Sequence, residues 1–242
     1  MMFVRGAAIG LFGKIPSQGD FFQRDLPLTF VRPWDEWLSR GMVASQAALG
    51  DNWAQTYLLS PPWRFQLAPG LCGESGWVGV LVASIDRVNR FYPVTLALPF
   101  LPGGQPSFMT DLRGTLDRLE AAAFALIDAQ KPMDTILSET QAGVEAEHEA
   151  QRALVTQRFT WIENAEQRAW MAFGDQQGTP LMPAGPMMTG LGRDASSLWW
   201  HEFWEPHPPT TLLCRGLPPE DSFAMLLDSQ WRHSSLFAMA PG

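Results

Sequence analysis

A continuous apolar run at residues 77–85, without a single charged side chain, sets the tightest limit on the fold of this chain. Runs of this kind are typical of a central β-strand that is buried on both faces of a sheet. The run is far shorter than the ~20 apolar residues that a bilayer crossing needs, so no direct membrane insertion is expected. The sequence therefore predicts a strand at the centre of a packed protein.

Two more strands are predicted beside this run. Residues 63–67 alternate bulky apolar side chains with polar ones, which is the period of a strand. Residues 91–100 form the next strand, and Pro93 within it indicates an edge position or a bulge, because proline has no N–H for the ladder. The intervening residues 86–90 are polar and predict a turn, so this region is expected to be an antiparallel hairpin or meander.

The first helix is predicted to begin near Pro33, because the first helical turn tolerates a missing N–H, and to end at Gly50. Trp34 and Trp37 fall at helical spacing within it and are expected to be core anchors rather than a ligand cage. Apolar spacing predicts further helical segments at residues 53–59, 108–126, 134–155 and 220–231. Strands are also predicted at residues 3–12, 198–204 and 210–214, whereas residues 159–162 and 169–173 are ambiguous.

The spacing of these elements is hairpin-like rather than strictly βαβ. It predicts an α/β protein of the α+β type, with a mixed, largely antiparallel sheet packed against helices. The 242 residues are expected to form a single domain. Its first part, residues 1–105, carries sheet and helix, and residues 106–242 carry helices and late strands. A Gly/Pro-rich loop at residues 174–197 is expected to be either mobile or functional.

Two adjacent tryptophans, Trp199 and Trp200, lie in one of the late strands. Neighbouring residues of a strand point to opposite faces of the sheet. One ring is therefore expected to be buried. The other ring is either covered by neighbouring loops or exposed as a contact for a partner.

Charge and metal-binding residues exclude several classes of function. The chain has 17 basic and 25 acidic residues, and its net charge of −8 argues against a nucleic-acid partner. Residues 101–242 hold nine basic and 18 acidic residues, which form either a solvated face or a steering surface for a basic partner. Two cysteines and four scattered histidines give no metal-ligand or redox spacing. No metal ion or other cofactor is expected, and a reduced, cytoplasmic protein is predicted.

Two polar clusters in the predicted loops are the candidates for chemistry. They consist of Lys14, Ser17, Asp20 and Arg24 in the first loop, and of Asp86, Arg87 and Arg90 in the turn between two strands. In an enzyme, Asp20 or Asp86 would serve as a general base and the basic residues would clamp an anion. Alternatively, Asp20 caps nearby backbone N–H groups and Asp86 pairs with an arginine across its turn. The second interpretation is favoured, because no activated nucleophile accompanies these residues.

Several short motifs follow one another in the first hundred residues. They are GKIPSQGDF at residues 13–21, Arg24, Leu26-Pro27, Phe30, Trp34-Asp35, Trp37-Leu38, Ser60, WRF at 63–65, Gly70, Gly73, WVGVL at 77–81, SIDRV at 84–88 and RFYP at 90–93. Together they resemble the TagF family, also called ImpM, whose members are accessory proteins of bacterial type VI secretion systems. The pattern departs at Asn89, where glycine is expected, and this concerns only the shape of that turn. Residues 197–200 and 216–218 resemble the later part of the family more weakly.

The resemblance implies a regulator rather than an enzyme. Proteins of this family act in the cytoplasm as post-translational repressors of type VI secretion, and their repression is linked to binding the forkhead-associated scaffold protein, Fha. We expect the partner-binding residues to lie in the two loops, because loops on a rigid sheet often carry function. The candidates are Lys14, Ser17, Asp20, Phe21, Arg24, Asp86, Arg87 and Arg90.

Two other hypotheses stay open. The first is a small hydrolase or phosphate-ester-binding enzyme, which would use Asp20 and Asp86 together with Lys14, Arg87 and Arg90. The second is a purely structural subunit of the secretion apparatus. Turnover of a substrate would favour the first, and a requirement for the protein in secretion would favour the second.

Overall fold

One sheet of nine strands runs through the part of the chain that this computed structural model describes. The described residues are 7–100, 112–129, 131–151, 169–173, 196–229 and 238–239. In chain order the strands are β1 (Gly10–Gly13), β2 (Phe22–Arg24), β3 (Trp63–Leu67), β4 (Gly76–Val82), β5 (Val94–Phe100), β6 (Ala169–Phe173), β7 (Ser196–His201), β8 (Thr210–Arg215) and β9 (Ala238–Met239). They lie in the order β2-β1-β5-β4-β3-β7-β8-β6-β9, and every pair is antiparallel except β6 with β9. The predicted mixed, largely antiparallel sheet is confirmed.

Helices cover both faces of this sheet. They are α1 (Leu28–Leu49), α2 (Trp53–Leu59), α3 (Arg113–Asp128), α4 (Met133–Gln151) and α5 (Phe223–Asp228), with 3₁₀ turns at Gly50–Asn52 and Glu220–Ser222. α1, α2 and α5 pack on one face around an aromatic core that contains Trp34, Phe65 and Trp199. α3 and α4 pack on the other face around an aliphatic core that contains Val80 and Leu96. The expected packing of the sheet against helices is therefore confirmed.

β4 explains why the central apolar run has no charge. Every residue of Gly76–Val82 is buried, and strand alternation sends Trp77 into the aromatic core and Val78 into the aliphatic core. Gly79 has no room for a side chain, because a Cβ there would lie 2.2 Å from the carbonyl oxygen of Leu96. The prediction of a strand that is buried on both faces is confirmed.

The first helix begins earlier than predicted. α1 starts at Leu28 and Pro33 lies inside it, so the prediction of a start near Pro33 is wrong. A proline inside a helix costs about 3 kcal/mol, because one backbone hydrogen bond is lost and the ring crowds the preceding turn. Phe30 and Val31 are buried in the aromatic core, and this packing stabilises the turn that precedes Pro33. The predicted end at Gly50 is confirmed.

Pro93 marks neither an edge strand nor a bulge, which is a second correction. β5 begins at Val94, directly after Pro93, and it lies between β1 and β4 with an unbroken register. Because Pro93 precedes the ladder, its missing N–H removes no pairing within the strand. Its carbonyl oxygen faces Gly13, where a Cβ would lie only 2.0 Å away, and the φ of 129° at that glycine suits the close approach.

Both adjacent tryptophans are buried. Trp199 lies in the aromatic core, where its ring stacks on that of Trp34 with centroids 5.8 Å apart. Trp200 lies in the aliphatic core on the opposite face. The expectation of opposite faces is confirmed, and the alternative of one exposed ring is wrong, because helices cover both faces here. The core positions of Trp34 and Trp37 are also confirmed.

Several element boundaries differ from the predictions. β1 begins at Gly10 rather than residue 3, β7 ends at His201 rather than residue 204, and the closing helix is a 3₁₀ turn followed by the short α5. The ambiguous residues 169–173 form β6, and the last two residues of the predicted loop belong to β7. The predictions for residues 3–6, 102–111, 152–155, 159–162, 174–195 and 230–231 lie outside the described residues. The single domain stays a prediction.

Candidate functional site

Two predicted loops meet at one end of the sheet. β1 pairs with β5 so that Phe12 lies opposite Thr95, and this pairing brings the loop after β1 next to the turn before β5. The backbone N–H of Arg87 donates to the carbonyl oxygen of Gln18 at 3.0 Å and joins the two segments. We call the resulting surface the loop cluster, which comprises Lys14, Asp20, Phe21, Asp86, Arg87, Val88 and Arg90.

Asp86 is the buried centre of the loop cluster, with 1% of its surface exposed. Its carboxylate accepts hydrogen bonds from the backbone N–H groups of Val88 and Arg90 at 3.0 and 2.9 Å and from Nε of Arg90 at 2.6 Å. Nζ of Lys14 lies 3.2 Å away. Burial alone would raise the pKa of Asp86, but these donors, led by Arg90, hold that pKa well below its usual range.

This arrangement gives Asp86 a structural role. A general base needs a pKa near the working pH and a lone pair that is free for the substrate, whereas the carboxylate of Asp86 already has four donors around it. The prediction that it pairs with an arginine across its turn is confirmed. Asn89 closes the turn with a φ of 62°, a left-handed conformation that asparagine tolerates in place of the expected glycine.

Phe21 is the aromatic group of the loop cluster, with 48% of its surface exposed. Its ring packs edge-on against Tyr92, with centroids 4.6 Å apart, and lies 4.9 Å from Nζ of Lys14. Tyr92 is itself held in place, because its hydroxyl donates to Asp35 at 2.6 Å. Buried neighbours therefore position this exposed ring.

Charged side chains surround the ring of Phe21. Asp20 is exposed and accepts a hydrogen bond from the backbone N–H of Phe21 at 2.8 Å, which confirms its predicted role as a local cap. Arg90 donates to the carbonyl oxygen of Gly19. The guanidinium of Arg87 lies against the same glycine, since a Cβ there would be 3.2 Å from its Nη2. The outer face thus combines an aromatic ring with two arginines, residue types that are enriched at protein interfaces.

The loop cluster contains most of the predicted site residues but not all of them. Six of the eight come together, namely Lys14, Asp20, Phe21, Asp86, Arg87 and Arg90. Ser17 is exposed on the turn of the first loop. Arg24 lies at the far end of β2, where it forms ion pairs with Asp134 of α4 and with Asp25.

Comparison with known proteins identifies the family. The family model of the TagF N-terminal domain, described as type VI secretion system-associated, matches residues 10–142, which is more than half of the chain. This chain belongs to the TagF family. The TagF match runs from β1 into α4 and includes both segments of the loop cluster, whereas β6–β9 and α5 lie beyond it. No curated protein matches the chain.

A solved structure extends the similarity beyond the TagF match. The chain is similar to PA0076 from Pseudomonas aeruginosa PAO1, known from a crystal structure, with a TM-score of 0.64 and 28% sequence identity. The similarity covers 97% of this chain and 99% of that one. The late strands therefore lie within the region of shared structure.

The described residues contain neither a membrane-spanning helix nor a metal-binding cluster. None of the helices there combines the length and the hydropathy of a membrane span. Nor do three or more His, Cys, Asp or Glu side chains of those residues come together in a way that could hold a metal ion. Burial lowers the pKa of His201 to about 4, so its ring is neutral at pH 7, and it packs edge-on against Trp63.

Arg64 is a buried cation that sequence analysis treated only as part of a strand pattern and a family motif. It projects from β3, within the TagF match, toward α3. Its guanidinium lies 2.8 Å from Asp117, 2.9 Å from Glu120 and 3.4 Å from Glu202. Glu120 and Glu202 are 56 and 138 residues away along the chain, so no local motif could have indicated this cluster.

The ion pairs of Arg64 offset the effect of burial on the pKa of Arg64 itself, but they do not fully offset it for Glu120. Burial alone would lower the pKa of Arg64, but the carboxylates, Glu120 first, hold it above its usual value. For Glu120 the balance is reversed, because burial, together with the charges of Glu202 and Asp117, raises its pKa by more than Arg64 lowers it. Arg64 therefore compensates for buried carboxylate charge and ties the TagF match to the segment after β7.

The loop cluster predicts a specific dependence of stability on pH. The pKa of Asp86 in the folded state lies below its ordinary value of 3.8, so its stabilising effect is complete above about pH 4 and is lost as the pH falls further. We expect Asp86→Asn to melt several degrees below the wild type at pH 7, and we expect this deficit to shrink as the pH falls to 2, toward the folded-state pKa. Thermal melts at both pH values test this.

Asp20→Asn is the matched control for this experiment. Asp20 has 82% of its side chain exposed, and its replacement should leave the melting temperature almost unchanged. An Asp86→Asn deficit that does not shrink between pH 7 and pH 2 would show that the carboxylate charge does not stabilise the turn.

Proposed function

We propose that this protein is a cytoplasmic, post-translational repressor of a type VI secretion system, and that it acts by binding the forkhead-associated scaffold protein, Fha. The observation that carries the proposal is the TagF match, which covers both segments of the loop cluster. Repression follows from occupancy, because scaffold that is bound to this protein is withheld from assembly. Its extent therefore rises with the ratio of protein concentration to Kd.

We assign the contact with Fha to the outer face of the loop cluster. Phe21, Arg87 and Arg90 reach solvent there, and aromatic and arginine side chains supply most interface hot spots. Lys14 and Asp86 lie beneath them and fix the two loops, which lowers the ordering cost of binding. Of the remaining candidates, Ser17 is exposed on the turn of the first loop. Arg24 would take part only if the partner extends along β2.

The enzyme alternative receives less support from the geometry. The carboxylate of Asp86 is saturated by donors, and that of Asp20 is 82% exposed rather than enclosed in a cleft. In that hypothesis Lys14, Arg87 and Arg90 would clamp a phosphate ester. Turnover of generic phosphoesters by the purified protein, lost in Asp20→Ala and Asp86→Ala, would favour it over a binding role.

Binding to purified Fha is the direct test. We expect Phe21→Ala and Arg87→Glu each to raise the Kd by about tenfold or more, as hot-spot substitutions do, in isothermal titration calorimetry. Arg215→Glu is the matched control, because Arg215 is exposed at the end of β8, four strands away from β5. Melting temperatures of all variants show whether they remain folded.

Two outcomes of this test have different meanings. If the wild type does not bind Fha, the proposed partner is wrong. If the wild type binds and both loop variants bind equally well, the proposed surface is wrong. Overproduction and deletion in cells then separate a repressor from a structural subunit, since excess repressor silences secretion, whereas loss of a structural subunit abolishes it.

A further inference from the structure

A second exposed apolar surface lies just after β7. Phe203 has 60% of its surface exposed and Trp204 has 36%. Nε1 of Trp204 donates to the carbonyl oxygen of Leu59, itself 55% exposed at the end of α2, at 3.2 Å. The ring of Trp204 also stacks on Phe124 of α3, with centroids 5.7 Å apart and planes 9° from parallel. We call Leu59, Phe124, Phe203 and Trp204 the aromatic patch.

The aromatic patch joins the two helical layers. α2 belongs to the layer on the aromatic core and α3 to the layer on the aliphatic core, and Trp204 contacts both. Its ring is fixed by stacking and by a hydrogen bond before any partner arrives. Exposed aromatic rings that are already ordered are suited to anchor a protein interface, because little side-chain entropy remains to be lost.

Carboxylates surround the aromatic patch. Glu202 and Glu205 flank its two exposed rings in sequence, and 40% of the Glu202 side chain is exposed. Asp117 and Glu120 lie two turns and one turn before Phe124, on the same face of α3. All four carboxylates therefore lie on the side of the molecule that carries the patch.

The nearby cations do not neutralise this charge. Arg64 contacts three of these carboxylates and Arg113 lies 3.4 Å from Glu202, so among the described residues two guanidiniums face four carboxylates. An excess of negative charge remains beside exposed apolar rings. The loop cluster has the opposite character, because two arginines reach solvent there.

We propose that the aromatic patch is a docking site for a basic, apolar segment of a partner protein. Lys or Arg side chains of that segment meet the carboxylates, and its apolar side chains meet Phe203 and Trp204. A symmetric contact between the patches of two copies of this chain would bring like charges together, and nucleic acids and anionic membranes carry the wrong charge. The site is separate from the loop cluster and does not depend on Fha.

Site-specific photocrosslinking in the native bacterium is the first test. A photoreactive amino acid replaces Phe203 in the full chain, and Val43, which is 67% exposed on α1, is the control position. We expect an adduct from position 203 and none from position 43. Mass spectrometry of the adduct should identify a segment of another protein that carries Lys or Arg beside apolar residues.

Binding of a synthetic peptide with that segment's sequence is the second test. Phe203→Ala and Glu205→Lys should each weaken its binding about tenfold, and only Glu205→Lys should reduce the dependence on salt. Asp51→Lys, an exposed charge reversal in the 3₁₀ turn after α1, should bind like the wild type. The proposal is overturned by the absence of an adduct, by an adduct with a second copy of this chain or with an acidic segment, or by unchanged binding of both variants.

Discussion

Replacing Trp34 by alanine is expected to lower the free energy of unfolding by about 3–5 kcal/mol, the usual cost of emptying a buried aromatic site. Trp34 is fully buried, and its indole N–H donates to Oγ1 of Thr95 at 2.9 Å. The ring also packs against four others, those of Phe30, Trp37, Phe65 and Trp199. For a chain of this length we expect the melting temperature to fall by ~6–20 °C, measured by circular dichroism.

Two variants control for this effect. Phe203→Ala removes an exposed ring and should change stability by about 0.5 kcal/mol or less. Thr95→Val leaves the indole N–H of Trp34 without its acceptor and should cost about 1–3 kcal/mol. A Trp34→Ala protein that melts with the wild type would contradict the aromatic core. Because instability alone would relieve the proposed repression, the soluble fraction must be measured beside any secretion assay.

Replacing Arg64 by methionine is expected to cost about 2–4 kcal/mol at pH 7.5. Removing one partner of a buried ion pair usually costs about 3–5 kcal/mol, and the cost is lower here because Asp117 and Glu202 are partly exposed and regain water. Glu120 cannot do so to the same extent, since only 22% of its side chain is exposed. Denaturant unfolding at fixed pH measures the loss.

The cost of Arg64→Met should shrink as the pH falls toward 5. Burial already raises the pKa of Glu120 in the folded state. Ionisation of Glu120 therefore lowers the stability of the folded chain, and this loss grows as the pH rises through that pKa. Without Arg64 the pKa rises further, and protonation at pH 5 relieves the unpaired charge. Adding Glu120→Gln to Arg64→Met should therefore restore stability at pH 7.5. Equal losses at both pH values, without rescue, would contradict the role of Arg64.

Strands that are marked by a repeated hydrophobic pattern could be predicted from the sequence, because burial of a strand selects apolar side chains at regular positions along it. The uncharged run at 77–85 gave β4, and alternation at 63–67 gave β3. Single-residue rules failed where long-range packing outweighed them. Pro33 lies inside α1 because the aromatic core stabilises the preceding turn, and Pro93 lies outside the ladder of a central strand.

The residues of the candidate site could be predicted from the sequence, but their contacts could not. The family motifs named the residues of the loop cluster, but only the pairing of β1 with β5 brings Lys14 within 3.2 Å of Asp86. The carboxylates around Arg64 come from α3 and from the segment after β7, so their meeting depends on the finished sheet. Contacts between distant segments carry no local pattern, and sequence analysis therefore missed them.

The pairing of β3 with β7 has a consequence for the independence of the TagF match. Within residues 10–142, β3 is the outermost strand on its side, and its backbone meets β7 from Arg64 opposite Trp200 to Leu67 opposite Ser197. A fragment limited to that range would leave the N–H and C=O groups of β3 unpaired at a new sheet edge, where another chain could pair with them. It would also remove Trp199 from the aromatic core. By pairing with β3, the late strands protect the protein against aggregation through this edge.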